Sequence, residues 1–399
     1  MQNLQTHPAQ RTQVLSSSPR KLLIATTIAP SLRGFFIPFA EYFRARGWQV
    51  DGIAQDATSC PQCVAAYDHV WDIPWSRNPL DAKNLLQAPS QVRELLREHQ
   101  YDLINVSTPV ASFVTRMALN HYRDQGRVKV IYTAQGFHFY KGGSPLKNAA
   151  YLAIEKVAGQ WTDQLVVVNR EDEIAALTNH LIPQNKVQRI PGTGVNFNRF
   201  NPDGISEVQV AALRQELGLG AGDRFFLSVA ELIPRKRIDD ILQAFAKLGD
   251  PTVHLVLAGK GELLDPLQAQ AIHLGISANV HFLGQRSDIP VLLKAASALV
   301  LVSQHEGLPN CIIEALYSQT PVIGSDIRGT RDLLQGGSGL LVGLGEIASL
   351  TESMRWVLNN PQEAEVMARQ GRRGVLDYGI PEVLQQYEAL YQTVLGEIA

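Results

Sequence analysis

Cysteine is scarce in this chain, at three in 399 residues, and a scaffold stapled by disulfides is thereby excluded. Two of the three, Cys60 and Cys63, form a Cys-Pro-Gln-Cys. No second pair and no histidine at zinc spacing accompany it, so a structural role is expected rather than metal or redox chemistry. Cys311 reads as a small core residue. No apolar run approaches the ~18 residues of a membrane span. The first 19 residues are polar, rich in Gln, Ser and Thr, and lack an apolar signal core. They read as a disordered tail rather than an export signal, and a cytoplasmic protein is expected. Net charge is small, −2 at pH 7, so no nucleic-acid partner is indicated. Familiar nucleotide motifs are also missing. No G-x-G-x-x-G follows a strand, "GTGVNF" lacking the third glycine, and no G-x-x-x-x-G-K-[ST] occurs. No D-x-D pair is present to hold a divalent metal on a nucleotide diphosphate, so no metal is expected and lysine and arginine must neutralise any such group.

Hydrophobic residues make up 45 % and charged residues 19 %, which fits an ordinary globular core. The length suggests two domains. Residues 1–200 hold 21 Lys and Arg against 15 Asp and Glu, and the remainder is acidic. The basic half would suit a phospholipid surface or a diphosphate, although ordinary scatter explains the excess equally well.

Short apolar or β-branched runs recur: "KLLIATT", "GWQVDGIA", "YDLINVS", "VKVIYTA" and "DQLVVVN". Helical patterns at 37–46, 90–99, 110–121 and 147–160 separate them. The rhythm restarts with "RFFLSVA", "VHLVLAGKG", "NVHFLG", "SALVLVS" and "TPVIGSD". Strands alternating with helices predict parallel sheets with crossover helices. The unperiodic "IPGTGVNFNRFNPDG" between the two sets reads as a hinge. The expectation is an α/β protein of two facing Rossmann-like domains, 20–197 and 198–379, with a cleft between the carboxyl ends of their strands.

The stretch "SQHEGLPNCIIEAL" (303–316) is the chemically suggestive one. A strand ends, a loop turns, and a helix begins with Pro309 at its first position. Its amino terminus offers free N–H groups and partial positive charge to a phosphate, and Gly307 lets the backbone approach such a group. Glu314, inside the helix, would accept two hydrogen bonds from a ribose diol, and Glu306 would accept from a second sugar beyond a diphosphate. Together these describe a nucleotide-sugar. Spacing alone leaves open that Glu306 is a solvated loop residue and Glu314 an exposed helix residue, though apolar neighbours at 312, 313, 315 and 316 weigh against the latter. "SVAELIPRKRIDDILQAF" places Arg235, Lys236 and Arg237 at another strand's carboxyl end. Cations at a helix amino terminus oppose the macrodipole, so serving an anion such as a leaving diphosphate explains them better than helix stability.

With these residues in view, the chain from about 20 to 399 resembles the family-four glycosyltransferases of the GT-B fold, especially bacterial capsular, exopolysaccharide and lipid-linked oligosaccharide transferases. Two glutamates eight apart with "EGLP" between and "EA" following carry the resemblance, as do "YTAQGFHFYKG", "TDQLVVVNREDE", "SVAELIPRKR" and "NVHFLGQRSDIPVLLKAAS". It implies a retaining, metal-independent transferase using a UDP-sugar as co-substrate, with no other cofactor. It implies Glu314 at the ribose, Glu306 at the donor sugar, Lys236 at the diphosphate with Arg235 beside it, Gly307, Leu308 and Pro309 against the donor, and Gly284 to Arg286 near the base. The family's usual arginine five positions before the lysine is here Glu231. The usual T-A-H-G-F-H reads Thr133-Ala134-Gln135-Gly136-Phe137-His138. Gln135 can donate a hydrogen bond but cannot carry a proton or a charge, so three outcomes stay open: a slower reaction, a changed donor, or a larger role for His138. A helix over about 380–399 is expected to cross back to the first domain. The acceptor implied is a glycan or a polyprenyl-diphosphate-linked sugar. The aromatics and Arg33, Arg44 and Arg46 of "LRGFFIPFAEYFRARGW" would suit peripheral contact with the inner face of the membrane, although a core helix reads the same way. Two rival activities keep the same fold: a UDP-sugar 2-epimerase, and an inactive sugar-nucleotide-binding subunit of a transferase complex.

Overall fold

Each apolar run becomes a strand, and all but "NVHFLG", where only Val280 is buried, are buried on both faces. The computed structural model describes residues 19–396 except 77–80, 82–83 and 85–86. Of the tail expected over 1–19, residues 1–18 lie outside the described residues, as do residues 397–399 of the helix expected over about 380–399. The first sheet contains β1 (Lys21–Ile28), β2 (Gln49–Gln55), β3 (His69–Asp72), β4 (Leu103–Ser107), β5 (Lys129–Ala134), β6 (Gln164–Val167) and β7 (Val187–Arg189). Its seven strands run in the order β3-β2-β1-β4-β5-β6-β7. The second contains β8 (Arg224–Val229), β9 (Val253–Ala258), β10 (Val280–Gly284), β11 (Ala298–Leu301), β12 (Val322–Ser325) and β13 (Leu340–Val342). Its six strands run β10-β9-β8-β11-β12-β13. All pairings are parallel.

Alternation along a strand sends neighbouring side chains to opposite faces. Leu23, Ile104, Val130 and Val167 enter one core and Leu22, Leu103, Ile131 and Val166 another. The second sheet divides likewise, with Phe226, Leu257 and Val300 on one face and Phe225, Val256 and Leu301 on the other. Helices cover both faces, as an all-parallel sheet requires. The two-domain Rossmann-like architecture expected from the sequence is the one observed. In each sheet the strand order reverses beside the first strand, between β1 and β4 and between β8 and β11. Those two switch points are where open α/β sheets hold ligands.

Two chain segments cross between the halves, and they touch. Val195 N donates to Tyr378 O at 2.9 Å and Ile380 N donates to Val195 O at 3.1 Å. Gly194 has φ +83°, and a Cβ there would stand 2.7 Å from Ile380 Cα. Beyond this bridge the helix Ile380–Leu395 lies on the first sheet's side. Its Tyr387 and Tyr391 rings pack on Phe39 and Phe43 at 4.9 and 5.0 Å, and Asn105 Nδ2 donates to Tyr391 Oη at 2.6 Å.

This packing bears on the segment expected to meet a membrane. The helix Ala29–Arg44 spends its aromatics inward: Phe36, Phe39 and Phe43 are all buried, and Arg46 pairs with Glu388 at 2.9 Å. Of its aromatics only Phe35 is exposed, alongside Arg33, Arg44 and Arg46, so the aromatic face belongs to the core. Among the described residues no helix is long and apolar enough to cross a membrane.

Candidate active site

Two loops at the second sheet's switch point meet through their backbones. The one after β8 runs to the turn Pro234–Lys236, and the one after β11 runs to the helix Asn310–Tyr317. Gln304 N donates to Arg235 O at 2.8 Å. That tie sets Lys236 Nζ 2.5 Å from Glu306 Oε1 and Arg235 Nη1 3.2 Å from Glu306 Oε2. Lys236 and Glu306 are nearly buried, with 12 % and 11 % of their side chains exposed. Burial drives the Glu306 carboxyl upward, but Lys236 and then Arg235 outweigh it and hold the group below the ordinary range. Glu306 is therefore a buried carboxylate between two cations. Of the three basic residues grouped by the sequence, Arg237 leaves the cluster: its Nε bonds Asp240 Oδ2 at 2.5 Å.

The helix Asn310–Tyr317 has no side-chain cap at its amino terminus, which leaves first-turn N–H groups for another acceptor. Pro309 is the residue before the helix, with ψ 106°, rather than its first position, so the helix begins one residue later than expected. Glu314 sits one turn inside, half-buried. Among the described residues no donor reaches its carboxylate. Burial pushes its pKa up to about 7, with the Arg199 charge opposing. Arg199 belongs to the crossing segment, where Phe197 stacks on Tyr317 with ring centroids 3.8 Å apart.

The first half contributes the segment after β5. Gly307 meets it so closely that a Cβ on Gly307 would lie 1.8 Å from Gln135 O, and a Cβ on Gly136, where φ is +123°, would lie 2.9 Å from Gly307 Cα. The approach that demands glycine at 307 is thus to the facing loop, not to a phosphate. The Gln135 side-chain nitrogen is buried without a partner among the described residues. His138 is exposed in the same segment, with its ring 5.3 Å from that of Tyr151. Desolvation first and the Arg328 charge second lower its pKa from the ordinary histidine value.

Sequence reasoning missed the residue that joins the halves. Arg328, after β12, is 4 % exposed. Its Nη1 bonds Asp172 Oδ1 at 2.6 Å and Phe139 O at 3.3 Å, its Nη2 donates to Phe137 O, and its Nε donates to Glu306 O at 3.2 Å. Asp172 is 1 % exposed and also accepts from Phe137 N at 3.1 Å. Asn169 Nδ2 reaches Gly307 O at 3.0 Å. His305, also missed, stacks on Tyr140 across the cleft at 4.9 Å, and its pKa falls to about 4 through burial and then Arg235.

Other expected site residues stand further out. Glu231 is exposed at the carboxyl end of β8. Gly284 has φ +64° and faces Lys260. Leu308 packs toward Gly192. Arg286 is held by two carboxylates: Nη1 bonds Glu216 at 2.5 Å, and Nη2 and Nε bond Asp288 at 2.7 and 2.8 Å. Four of its five N–H donors are thus engaged, and these ties fix the β10 loop.

Residues 38–193 match the family model described as Glycosyl transferase 4-like domain, and residues 209–374 that described as Glycosyl transferases group 1. The chain is 31 % identical over 380 residues to EpsD of Bacillus subtilis strain 168, named as a glycosyltransferase, covering 94 % of this chain and 97 % of that one. It is 26 % identical to an Escherichia coli UDP-Gal:alpha-D-GlcNAc-diphosphoundecaprenol alpha-1,3-galactosyltransferase, covering 78 % and 79 %. Among solved structures, Anabaena Alr3699/HepE in complex with UDP and glucose superposes with a TM-score of 0.79 at 20 % identity, covering 94 % of this chain and 100 % of that one. At that identity the likeness establishes a common fold.

Proposed function

The chain belongs to the group 1 glycosyl transferases of the GT-B fold, and on that premise we propose that it transfers a sugar, with retention, from a UDP-sugar to a polyprenyl-diphosphate-linked glycan in surface polysaccharide synthesis. The observation that carries this reading is the arrangement at the second switch point. The Glu306 carboxylate, paired to Lys236 and Arg235, stands eight residues before a second carboxylate, Glu314, on the helix that follows. Glu314 takes the ribose diol, the uncapped helix start and Lys236 take the diphosphate, and Glu306 takes a hydroxyl of the donor sugar. The buried, unpartnered amide nitrogen of Gln135 would find a donor-sugar oxygen there, and the presence of Glu306, Glu314 and Lys236 together favours an active enzyme over an inactive binding subunit. The named relatives support the substrate classes: one acts from UDP-galactose on a diphosphoundecaprenol-linked sugar, and another is bound to UDP and glucose.

The acceptor hydroxyl attacks the anomeric carbon on the face from which the diphosphate departs. The bond from that carbon to the diphosphate oxygen breaks, the new glycosidic bond forms, and the acceptor's proton passes to the departing phosphate oxygen. No protein base is needed. Lys236 and Arg235 stabilise the charge that builds on the leaving group, worth most in a cleft closed to water. The facing loops hold donor and acceptor in line.

The deciding experiment follows nucleotide release from UDP-, GDP- and ADP-sugars, with and without lipid-linked acceptors, beside Glu314→Ala. Acceptor-stimulated release from one donor, abolished in the variant, is expected. Acceptor-independent conversion of the donor would favour an epimerase, and binding without turnover an inactive subunit. Turnover is expected to survive EDTA unchanged, because two side-chain cations already face the diphosphate. Activity lost in EDTA and restored by magnesium or manganese would overturn that part.

Glu314 also fixes a pH dependence. Only its ionised form accepts from both ribose hydroxyls. Because burial raises its pKa to about 7, affinity for a UDP-sugar is expected to be greatest above that pH. Below it, affinity should fall by up to about tenfold per pH unit. A UDP-sugar, a diphosphate diester, does not itself titrate in this window. Titration calorimetry from mildly acidic to mildly basic pH checks it, and a slope that persists in Glu314→Gln would assign the titration to another group.

A further inference from the structure

The helix Pro145–Gly159 turns its apolar side outward. Leu146 is 82 %, Val157 47 % and Ile154 41 % exposed, and Ala150 and Ala153 are exposed with them. At about 100° per residue these side chains form one stripe, bordered on one edge by Lys147 and on the other by Lys156. Neither lysine has an ion-pair partner among the described residues. The single acid of the helix, Glu155, lies on the inner side, where Arg116 Nη2 at 3.0 Å and Tyr132 Oη at 3.1 Å hold it. Beyond the helix's carboxyl end the half-buried Trp161 and Phe113 rings sit 5.6 Å apart, and such aromatics suit a water–lipid boundary. An exposed apolar helix face is unusual on a soluble surface and marks an interaction site.

We propose that this face docks the enzyme onto an anionic phospholipid surface. The charge pattern selects the occupant: apolar side chains enter the acyl boundary while the flanking lysines meet phosphate headgroups. A second copy fits less well, because a two-fold contact through this stripe would bring the flanking lysines of the two chains together. The helix is also tied to the cleft. Asn148 Nδ2 donates to Tyr140 O at 2.8 Å, and the Tyr140 ring stacks on His305. Docking here would present the cleft mouth to the headgroup layer, where a polyprenyl diphosphate lies, and in that purpose the inference rests on the proposed acceptor.

The test is co-sedimentation of the full chain with vesicles of phosphatidylcholine alone or with about 30 % phosphatidylglycerol, without donor or acceptor. Binding to the anionic vesicles is expected to be at least about tenfold tighter and to weaken with salt. The triple variant Leu146→Glu, Ile154→Glu, Val157→Glu should lose it while keeping the wild-type melting temperature and UDP-sugar affinity. Absence of binding by the wild type, or equal binding by the variant, overturns the proposal. Concentration-dependent self-association without vesicles, abolished in the variant, would assign the face to a second copy instead. Failure of donor turnover with vesicle binding intact sinks the proposed activity alone, and transfer to a soluble acceptor without vesicle binding sinks the docking face alone.

Discussion

Lys236→Ala is expected to lower kcat/KM for sugar transfer by about 10²–10³-fold, the scale of removing one preorganised group that stabilises developing charge. An ammonium carries three donors. One is committed to Glu306 Oε1 at 2.5 Å, which leaves the others for the diphosphate. The substitution therefore removes charge from the leaving group and the stronger partner from Glu306. The remaining cation is shared, because Arg235 Nη1 serves both Glu306 Oε2 at 3.2 Å and His305 O at 3.1 Å. A distinctive pH signature follows. In the native chain Lys236 and Arg235 overcome burial and keep Glu306 ionised well into acid. Without Lys236 the burial contribution dominates and the folded-state pKa rises. The acid limb of kcat/KM should then move to higher pH in Lys236→Ala, with activity lost as pH falls through the raised value. Lys236→Arg restores charge without the compact geometry and should recover only part of the rate. A Lys236→Ala enzyme within threefold of wild type, with an unmoved acid limb, would remove Lys236 from the reaction.

That both residues fall at one sheet edge was legible in the sequence because the rules that bring them together are local. Glu306 and Lys236 are 70 residues apart, yet each follows a strand by a few residues. Parallel strands deliver their carboxyl-end loops to one edge, so two separate strand–loop–helix readings implied one site. The strands themselves announced their burial, since "LLIA" and "LVVV" can only be interior on both faces. The first sheet's edge strands gave no such sign. His69–Asp72 reads "HVWD" and Val187–Arg189 reads "VQR", each too short and too exposed to form an apolar run. Arg286 shows a contact that local reading does not supply. Its position suggested a binding role, but two acids, Glu216 and Asp288, reach it first, and nothing local in the sequence brings Glu216 to it. The exposed stripe of 145–159 has the same spacing as a buried one, because periodicity defines a face without saying what it meets.

The contact with no sequence signal supports the other large effect. Arg328→Ala is expected to cost about 3–5 kcal/mol of stability, the range for removing one partner of a buried ion pair. Asp172 in "NREDE" looks like an ordinary acid in a helix's first turn, and Arg328 in "DIRGTRD" like a loop charge. They lie 156 residues apart, and both are buried where the halves meet. Truncation leaves Asp172 charged in a dry interface with Asn169 Nδ2 and Phe137 N as its remaining donors among the described residues. Burial already raises the Asp172 pKa with Arg328 opposing, so the variant's value must rise further. A folded pKa above the unfolded one means that the native state binds the proton more tightly, and stability falls as pH rises through it. Arg328→Ala should thus melt furthest below wild type at neutral and basic pH and recover part of the deficit on mild acidification. Asp172→Asn in the same background, which removes the buried charge, should flatten that dependence. Activity should respond separately from donor affinity. Arg328 ties Phe137 O and Phe139 O in one half to Glu306 O in the other, whereas Glu314 and Lys236 both belong to the second half. UDP-sugar affinity is expected to change little while kcat falls by about 10²-fold, the cost of misaligning reacting groups by roughly an ångström. Unchanged kcat in a folded Arg328→Ala enzyme would confine the residue to stability. A matching loss of donor affinity would show that the second half's site cannot form without the first.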